Sequence, residues 1–301
     1  MTKLSTPLLS LGAHGSLSDS ITYTRRRGAD IAEKKPALPY SLTLPQQYQR
    51  WLYQDYAYLW TKQTSATKAI YAAKAARKHT TPIAEWLRYC LTNLPDIVAW
   101  WRLDEPQGAI AKDFSKNAYN GAILGTTIVD GTISKARYFD HLDDTIDCGT
   151  GISQSFTAIS IECFISDAFS VPATYQFIIE RGDWSDGEFG LYLNPFTHCI
   201  DFVLRDTTAQ IISGATDVLA RKHTHLLGTY DGAHMKLYVS GAEDAAPVAS
   251  TGTVKTDTQK TYIGSRLDGV NRFGGVIDNL IIYNRALDTY EALRHSLRRY
   301  P

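Results

Sequence analysis

One short segment, residues 113–120, gathers side chains that carry oxygen: Asp113, Asn117 and Asn120. Calcium in proteins takes about six to eight oxygen ligands, drawn from carboxylates, side-chain amides and the backbone carbonyls of loops. The segment is therefore a candidate calcium site. The same residue types also cap turns, because their oxygens accept hydrogen bonds from nearby backbone amides. The sequence leaves both roles open.

A second acidic group is denser in charge and comprises Asp140, Asp143, Asp144 and Asp147. Clustered carboxylates repel one another unless solvent or a cation separates them. We interpret this group as a solvated loop, in preference to a second metal site.

The chain has no net charge, yet its two parts are oppositely charged. Residues 1–95 contain 13 Lys and Arg against 5 Asp and Glu, whereas the remainder contains 18 against 26. Such a basic segment suits docking on an acidic surface or on nucleic acid, although two domains that merely differ in composition would show the same split. No nucleic-acid-binding motif is visible, so we expect a protein partner and not nucleic acid. The candidate partner-binding cations are Arg25, Arg26, Arg27, Lys34 and Lys35.

No apolar stretch approaches the roughly 20 residues of a membrane helix, and the N-terminus lacks an apolar run of signal-peptide length. We therefore expect no membrane association. The cysteines lie far apart, without the close pairs that zinc or redox sites need, so we expect them to be reduced core residues. They are Cys90, Cys148, Cys163 and Cys199.

Two segments precede the largest domain. Residues 1–42 mix short apolar pairs with glycines and prolines and predict an extended basic arm or small hairpin. Residues 43–95 are predicted to be helical, because Thr43 can cap, Pro45 suits a first turn and aromatic residues recur at helical spacing. Their aromatic rings exceed what one buried stripe requires, so some should meet a partner; packing on each other or on the next domain is the alternative. The candidate aromatic anchors are Tyr48, Trp51 and Tyr56.

Residues 96–301 show short runs of β-branched and aromatic residues between Gly, Asp and Asn turns. Apolar residues occupy the alternate positions 159, 161, 163 and 165, which predicts a strand with one buried face, and a further strand is predicted at 273–283. The pattern is typical of a mainly β domain with two packed antiparallel sheets.

Short motifs recur in a specific order across this domain: 98–105 (VAWWRLDE), 113–117 (DFSKN), 138–140 (YFD), 228–232 (GTYDG) and 273–278 (FGGVID). In that order and spacing they resemble laminin-G-like, or concanavalin A-like, lectin/glucanase domains. The resemblance implies a two-sheet jelly-roll sandwich, here preceded by the arm and the helical segment. It also implies that Asp278 joins Asp113, Asn117 and Asn120 as a calcium ligand, which makes Ca²⁺ the expected cofactor.

A domain of this kind would present aromatic and polar side chains on its loops. Such residues can stack on a sugar or hydrogen-bond its hydroxyls, although they could equally pack at a subunit interface. The candidate ligand-binding residues are Trp184, Asp186, Arg266, Asp268 and Asn271, with Tyr175, Asp183 and Arg272 in the same predicted loops.

Catalysis is not expected. The glucanases of the resembled family carry a Glu-x-Asp-x-x-Glu strand that places two carboxylates on one face, and no such pattern occurs here. Glu162 and Glu180 stand on predicted strands without the required partner, and neither a nucleophile elbow nor a phosphate loop is present.

The N-terminal region resembles, more loosely, structural proteins of tailed phages and related viruses, through Arg26-Arg27-Gly28, Lys35-Pro36 and the glutamine-rich helix start at Gln46. This resemblance implies a virion structural protein, for capsid decoration or the tail. The N-terminal region would bind other virion proteins, and the jelly roll would face outward on the virion surface, where it could bind host glycans. Several copies would assemble. The alternative is a cellular or extracellular carbohydrate-binding protein that is not part of a virus.

Overall fold

The computed structural model describes the backbone of residues 3–4, 15–17, 21–26 and 29–34, and then residues 43–106, 108–169, 174–182, 189–205, 209–219, 221–254, 259–266, 269 and 271–299. The chain divides into two compact units, Met1–Gln47 and Tyr48–Pro301. Each unit is described separately below.

The N-terminal unit contains a four-stranded antiparallel sheet. Its strands are β1 (Lys3–Leu4), β2 (Gly15–Leu17), β3 (Ile21–Arg26) and β4 (Ala29–Lys34), in the order β1-β4-β3-β2. The sheet is larger than the hairpin that the sequence predicts, because β1 and β2 add to the two edges of the β3–β4 pair. Arg25 and Arg26 lie on β3 and Lys34 ends β4. Arg27 and Lys35 lie outside the described residues.

Three helices follow: α1 (Leu44–Lys62), α2 (Ser65–Lys78) and α3 (Pro82–Asn93). The side chains of Thr64 and Thr81 cap α2 and α3 by accepting hydrogen bonds from backbone amides three residues on, and Pro82 occupies a first-turn position where no amide donor is needed. A fourth helix, α4 (Thr289–Ser296), begins with a reciprocal capping box between Asp288 and Glu291. Among the helices of the described residues, none is both long and apolar enough to span a membrane.

The rest of the larger unit is the predicted mainly β sandwich, and its fold class is confirmed. One antiparallel sheet has eight strands, and a second sheet of nine strands packs against it. Their strands, in chain order, are β5 (Ile97–Trp101), β6 (Ile110–Ala111), β7 (Gly121–Leu124), β8 (Thr127–Asp130), β9 (Lys135–Asp140), β10 (Thr145–Asp147), β11 (Ile159–Ser166), β12 (Gln176–Arg181), β13 (Phe189–Leu193), β14 (Ile200–Arg205), β15 (Ala209–Ser213), β16 (Thr224–Tyr230), β17 (His234–Val239), β18 (Ala242–Glu243), β19 (Val248–Ala249), β20 (Thr261–Ile263) and β21 (Gly274–Tyr283).

The eight-stranded sheet runs β15-β14-β13-β12-β20-β10-β7-β6, and the nine-stranded sheet runs β18-β17-β16-β11-β21-β9-β8, with β5 also pairing β21 and β19 pairing β17. Alternate residues of both sheets meet in one hydrophobic core that includes Trp101, Phe139, Phe202 and Leu280, all fully buried. Burial of this apolar surface is the main stabilising contribution to the sandwich. The four cysteines are free thiols and are buried.

Helix α1 packs on the sandwich, so the helical segment belongs to the same compact unit as the jelly roll. The ring of Tyr48 lies 5.2 Å from that of Trp100 on β5, in an edge-to-face arrangement, and Tyr56 donates a hydrogen bond to Asp96 Oδ1 at 2.5 Å. Tyr48 and Tyr56 are each only 2% exposed. The prediction that they anchor a separate partner is corrected: their apolar surface is already used inside the chain, and Trp51 is half-buried beside them.

A buried ionic cluster fixes this packing. Glu162, at the centre of β11, accepts a hydrogen bond from Tyr283 at 2.7 Å and lies 3.5 Å from Arg298, which follows α4. Arg298 also pairs with Asp55 of α1. Because the central strand, α1 and the segment after α4 share these charges, the first and last helices are tied to the same sheet face.

Candidate functional site

Three loops meet at one end of the sandwich and are called the rim here: residues 140–144, 167–175 and 264–273, as far as they are described. The pairing of Gly274 with Asp140 and of Val276 with Ser166 brings these loops together. Phe169 N donates to Gly274 O at 3.2 Å, and Arg272 Nη1 donates to Asp144 O at 3.1 Å. The rim is therefore a hydrogen-bonded surface, formed by chain segments that are far apart in sequence.

Gln176 connects two of the rim loops from below. Its side chain is fully buried; Nε2 donates to Phe169 O at 2.7 Å, and Oε1 accepts from Gly274 N at 2.8 Å. Gly274 leaves room for this ring, because a Cβ there would lie 2.2 Å from Cζ of Phe169 and would displace it. The ring of Phe169 thus packs directly over the start of β21.

The acidic part of the rim contains Asp140, Asp143 and Asp144, whose carboxylate oxygens lie within 4.8 Å of one another. Asp140 Oδ1 accepts from Leu142 N at 2.7 Å, and Asp144 Oδ2 accepts from Asp140 N at 2.8 Å. Burial, together with the neighbouring carboxylates, raises the pKa of Asp144 above its ordinary value. Asp147 is not part of this group, since it lies on β10 and pairs with Lys260 at 2.6 Å.

An aromatic group lies at the same end of the sandwich, on the eight-stranded sheet. The Tyr175 ring is 5.4 Å from that of Tyr192 and 6.3 Å from that of Phe196, and Phe177 packs 4.9 Å from Tyr192. Phe196 is 71% exposed, in the turn between β13 and β14. An exposed ring that is held by a second ring offers a flat apolar surface on which the face of a sugar could stack.

Polar groups stand beside these rings. Asn194 Oδ1 accepts from Phe196 N at 3.0 Å and so fixes the turn, and Asn194 Nδ2 donates to Asp201 Oδ2 at 3.0 Å. Burial raises the pKa of Asp201, although hydrogen bonds from Ser213 and Asn194 oppose the shift. Asp201 is only 3% exposed and fixes Asn194 from within the sheet, so the half-buried Asn194 amide is the polar group at the edge of the aromatic surface.

Two of the five predicted ligand-binding residues fall among the described residues. Arg266 and Asn271 lie in the rim, where Asn271 O accepts from Phe177 N at 3.0 Å. Trp184, Asp186 and Asp268 lie outside the described residues, so the set as a whole stays a prediction.

Phe196 was missed by the sequence analysis. The signal that could have revealed it is the stretch Asn194-Pro195-Phe196-Thr197, in which a large apolar residue follows proline in a turn between two alternating strands. A bulky apolar side chain in such a turn has no core to enter and is exposed.

The predicted calcium ligands use their oxygens within the protein. Asp113 Oδ1 accepts from Trp100 N and Ser115 N, both at 2.8 Å, and Oδ2 accepts from Ser115 Oγ at 2.7 Å and Tyr119 N at 2.8 Å. Asn120 Oδ1 accepts from Asp113 N at 2.9 Å, whereas Asn117 Nδ2 donates to Val98 O at 2.8 Å. These bonds match the turn-capping alternative, because four donors already surround the Asp113 carboxylate.

Asp278 lies on β21 and bonds to a different loop: its Oδ2 accepts from Ile133 N at 2.7 Å. Burial raises its pKa well above the ordinary value, and its Oδ1 has no hydrogen-bond partner among the described residues. The Asp113 and Asp278 carboxylates thus accept hydrogen bonds from different parts of the chain, and the assignment of the four residues to calcium stays a prediction.

Comparisons with known proteins agree with this architecture. Residues 143–292 match the family model described as the concanavalin A-like lectin/glucanases superfamily. No curated protein gives a significant match.

Several solved structures share the fold. Domain 4 of AbnA, an extracellular arabinanase of Geobacillus stearothermophilus solved with arabinotriose, has a TM-score of 0.52 and 18% identity over 67% of this chain and 98% of that one. The binding domain of Paraclostridial mosquitocidal protein 1 has a TM-score of 0.54 and 16% identity over 67% of this chain. The ligand-binding domain of botulinum neurotoxin serotype D, solved with N-acetylneuraminic acid, has a TM-score of 0.53 and 13% identity over 67% of this chain. This chain spans about half of each toxin chain, 52% and 50%.

Proposed function

Since the sandwich of this chain belongs to the concanavalin A-like lectin/glucanases superfamily, we propose that it is a carbohydrate-binding module without catalytic activity. The observation that carries the proposal is the exposed ring of Phe196, held by Tyr175 beside Asn194 and Asp201. Two structures of the same fold were solved with arabinotriose and with N-acetylneuraminic acid, which supports a sugar as the ligand class.

The buried surroundings of Glu162 on β11 support a role in binding without catalysis. Hydrolysis of a glycosidic bond by paired carboxylates needs two groups about 5–9.5 Å apart that flank an accessible substrate. Glu162 is 2% exposed and bonds to Tyr283 and His295, so no substrate can reach it. A glutamate held in this way stabilises the fold.

The proposal is tested by measuring binding of arabino-oligosaccharides and sialylated oligosaccharides to the full chain, by calorimetry or on a glycan array. Phe196→Ala should weaken binding about two- to tenfold, because one ring contact contributes about 0.5–1.5 kcal/mol. Leu297→Ala is the matched control, since Leu297 is 70% exposed on the segment after α4. Equal binding by the two variants, or no binding by the wild type, would contradict the proposal.

A second function concerns the N-terminal unit. We propose that its four-stranded sheet, with Arg25 and Arg26 on one strand and Lys34 on the next, attaches the chain to other proteins of a virion, at the capsid or the tail, and leaves the sandwich displayed for host glycans. The observation that favours it is that Met1–Gln47 is a compact unit of its own. Limited proteolysis of native particles and of the purified chain should show protection of residues 1–47 only in particles; equal cleavage would contradict attachment through this unit.

A further inference from the structure

The hairpin of α2 and α3 carries a basic surface that no role described above uses. From Ser65 to Asn93 the cations are Lys68, Lys74, Arg77, Lys78 and Arg88, against the single carboxylate Glu85. Glu85 is only 4% exposed, so the solvent-facing charge of the hairpin is positive.

An open groove of about 440 Å³ runs along this hairpin. Its floor is aromatic: the rings of Tyr71 and Tyr89 are 6.3 Å apart, and Lys74 Nζ stands 4.7 Å above Tyr71. Lys78 and Arg88 flank the groove and reach Glu85 at 2.8 and 3.6 Å. Lys74, Lys78 and Arg88 line the groove against the single carboxylate Glu85, which leaves surplus positive charge. Tyr89, 42% exposed, leaves the groove with uncovered apolar surface.

The rim of the sandwich carries the complementary chemistry. Leu142 is 77% exposed, the highest value among the large hydrophobic residues described, and it lies between Asp140 and Asp143. Hydrogen bonds from Leu142 N to Asp140 and from Asp140 N to Asp144 hold this loop in shape. It therefore presents one apolar side chain beside the exposed carboxylate of Asp143 and the half-buried carboxylate of Asp140, whereas Asp144 is buried.

We propose that the loop 140–144 of one copy of this chain docks in the α2–α3 groove of a second copy. Leu142 would contact the tyrosines, and Asp143 would lie near Lys74 and Arg88. An apolar contact ringed by opposite charges is the composition of a specific interface. Because the two surfaces differ, the contact is heterologous, and repetition gives a ring or a filament.

The experiment measures the mass distribution of the full chain by sedimentation velocity over a range of protein and salt concentrations. Wild type should associate, and salt should weaken association, because ions screen surface charges over about 10 Å at 0.1 M ionic strength. Lys74→Glu and Asp143→Lys should each weaken association about tenfold or more through like-charge contacts. Leu142→Ala should weaken it too, whereas Lys116→Glu, an exposed lysine elsewhere on the sandwich, should not.

Mixing supplies the decisive result. The two substitutions restore opposite charges when the α2–α3 groove of the Lys74→Glu chain meets loop 140–144 of the Asp143→Lys chain. An equimolar mixture of the two variants should therefore associate again. This recovery also shows that both variants are folded. A monomeric wild type overturns the proposal, even if the groove binds heparin or an oligonucleotide. Association that neither substitution changes overturns it as well, because another surface is then responsible.

Discussion

His295 of α4 donates from Nδ1 to Oε2 of Glu162 at 2.8 Å, and both side chains are almost fully buried. His295 also lies 3.4 Å from Asp55 of α1, and His225 on β16 lies 3.4 Å from the same Glu162 oxygen. The helix that precedes the sandwich and the helix that follows it are thus linked to the middle of the sheet, because His295 and Arg298 contact both Asp55 and Glu162. Stability should depend strongly on these few groups.

Asp55→Asn should destabilise the larger unit by about 3–5 kcal/mol, because it leaves Arg298 and His295 buried with one carboxylate fewer. Urea denaturation measures the change in the free energy of unfolding. Asp130→Asn is the matched control: Asp130 pairs with Lys135 at an exposed position and should matter little. Similar effects of the two substitutions would show that the ionic cluster does not fix α1.

The stability contributed by the two histidines should peak near pH 6.5, the ordinary histidine pKa. Burial and Arg298 lower the pKa of His295, but Glu162 and Asp55 raise it above its ordinary value, so its contribution is present at lower pH and lost as pH rises through the raised pKa. Burial lowers the pKa of His225 despite its bond to Glu162, so its contribution is lost as pH falls below about 6.5.

The free energy of unfolding, measured by urea denaturation of single variants between pH 5 and 8, separates the two effects. His295→Gln should reduce the loss of stability above about pH 6.5, and His225→Gln should reduce the loss of stability below it. Glu162 adds a further loss of stability only at more acidic pH. Burial raises the pKa of its carboxyl group, but His295, His225 and Arg298 outweigh burial and hold that pKa well below the ordinary value. Unchanged pH profiles in both variants would exclude the cluster as their source.

Calcium should leave the melting temperature of the wild type unchanged, because four donors surround the Asp113 carboxylate. Asp113→Ala should lower the melting temperature with or without calcium, since each buried donor left unpaired costs about 1–3 kcal/mol. Asp130→Ala is the control, since the Asp130 side chain is exposed. A rise on adding calcium that Asp113→Ala abolishes would instead support the predicted metal site.

Gly274→Ala should weaken oligosaccharide binding with a smaller effect on stability. The new Cβ would displace the partly exposed ring of Phe169 and so disturb the loop that leads to Tyr175. Calorimetric titration and thermal melting measure the two effects. Adding Phe169→Ala to Gly274→Ala removes the clash and should restore binding; a double variant as weak as the single one would argue against steric displacement.

The sequence alone determined which segments form strands and helices, because secondary structure depends strongly on neighbouring residues along the chain. Alternation over 159–165 predicted the buried strand β11, and Thr81 with Pro82 predicted the start of α3. The order of short motifs also indicated the superfamily that the family match confirms for residues 143–292.

Only the tertiary structure decided what each side chain meets. Helical spacing identified Tyr48 and Tyr56 as apolar-face residues, but not that this chain's own sheet covers them. Nor could it show that Glu162 would meet His295, 133 positions away. Local periodicity specifies which face of an element is buried, whereas the partner of that face is set by long-range packing of the whole chain.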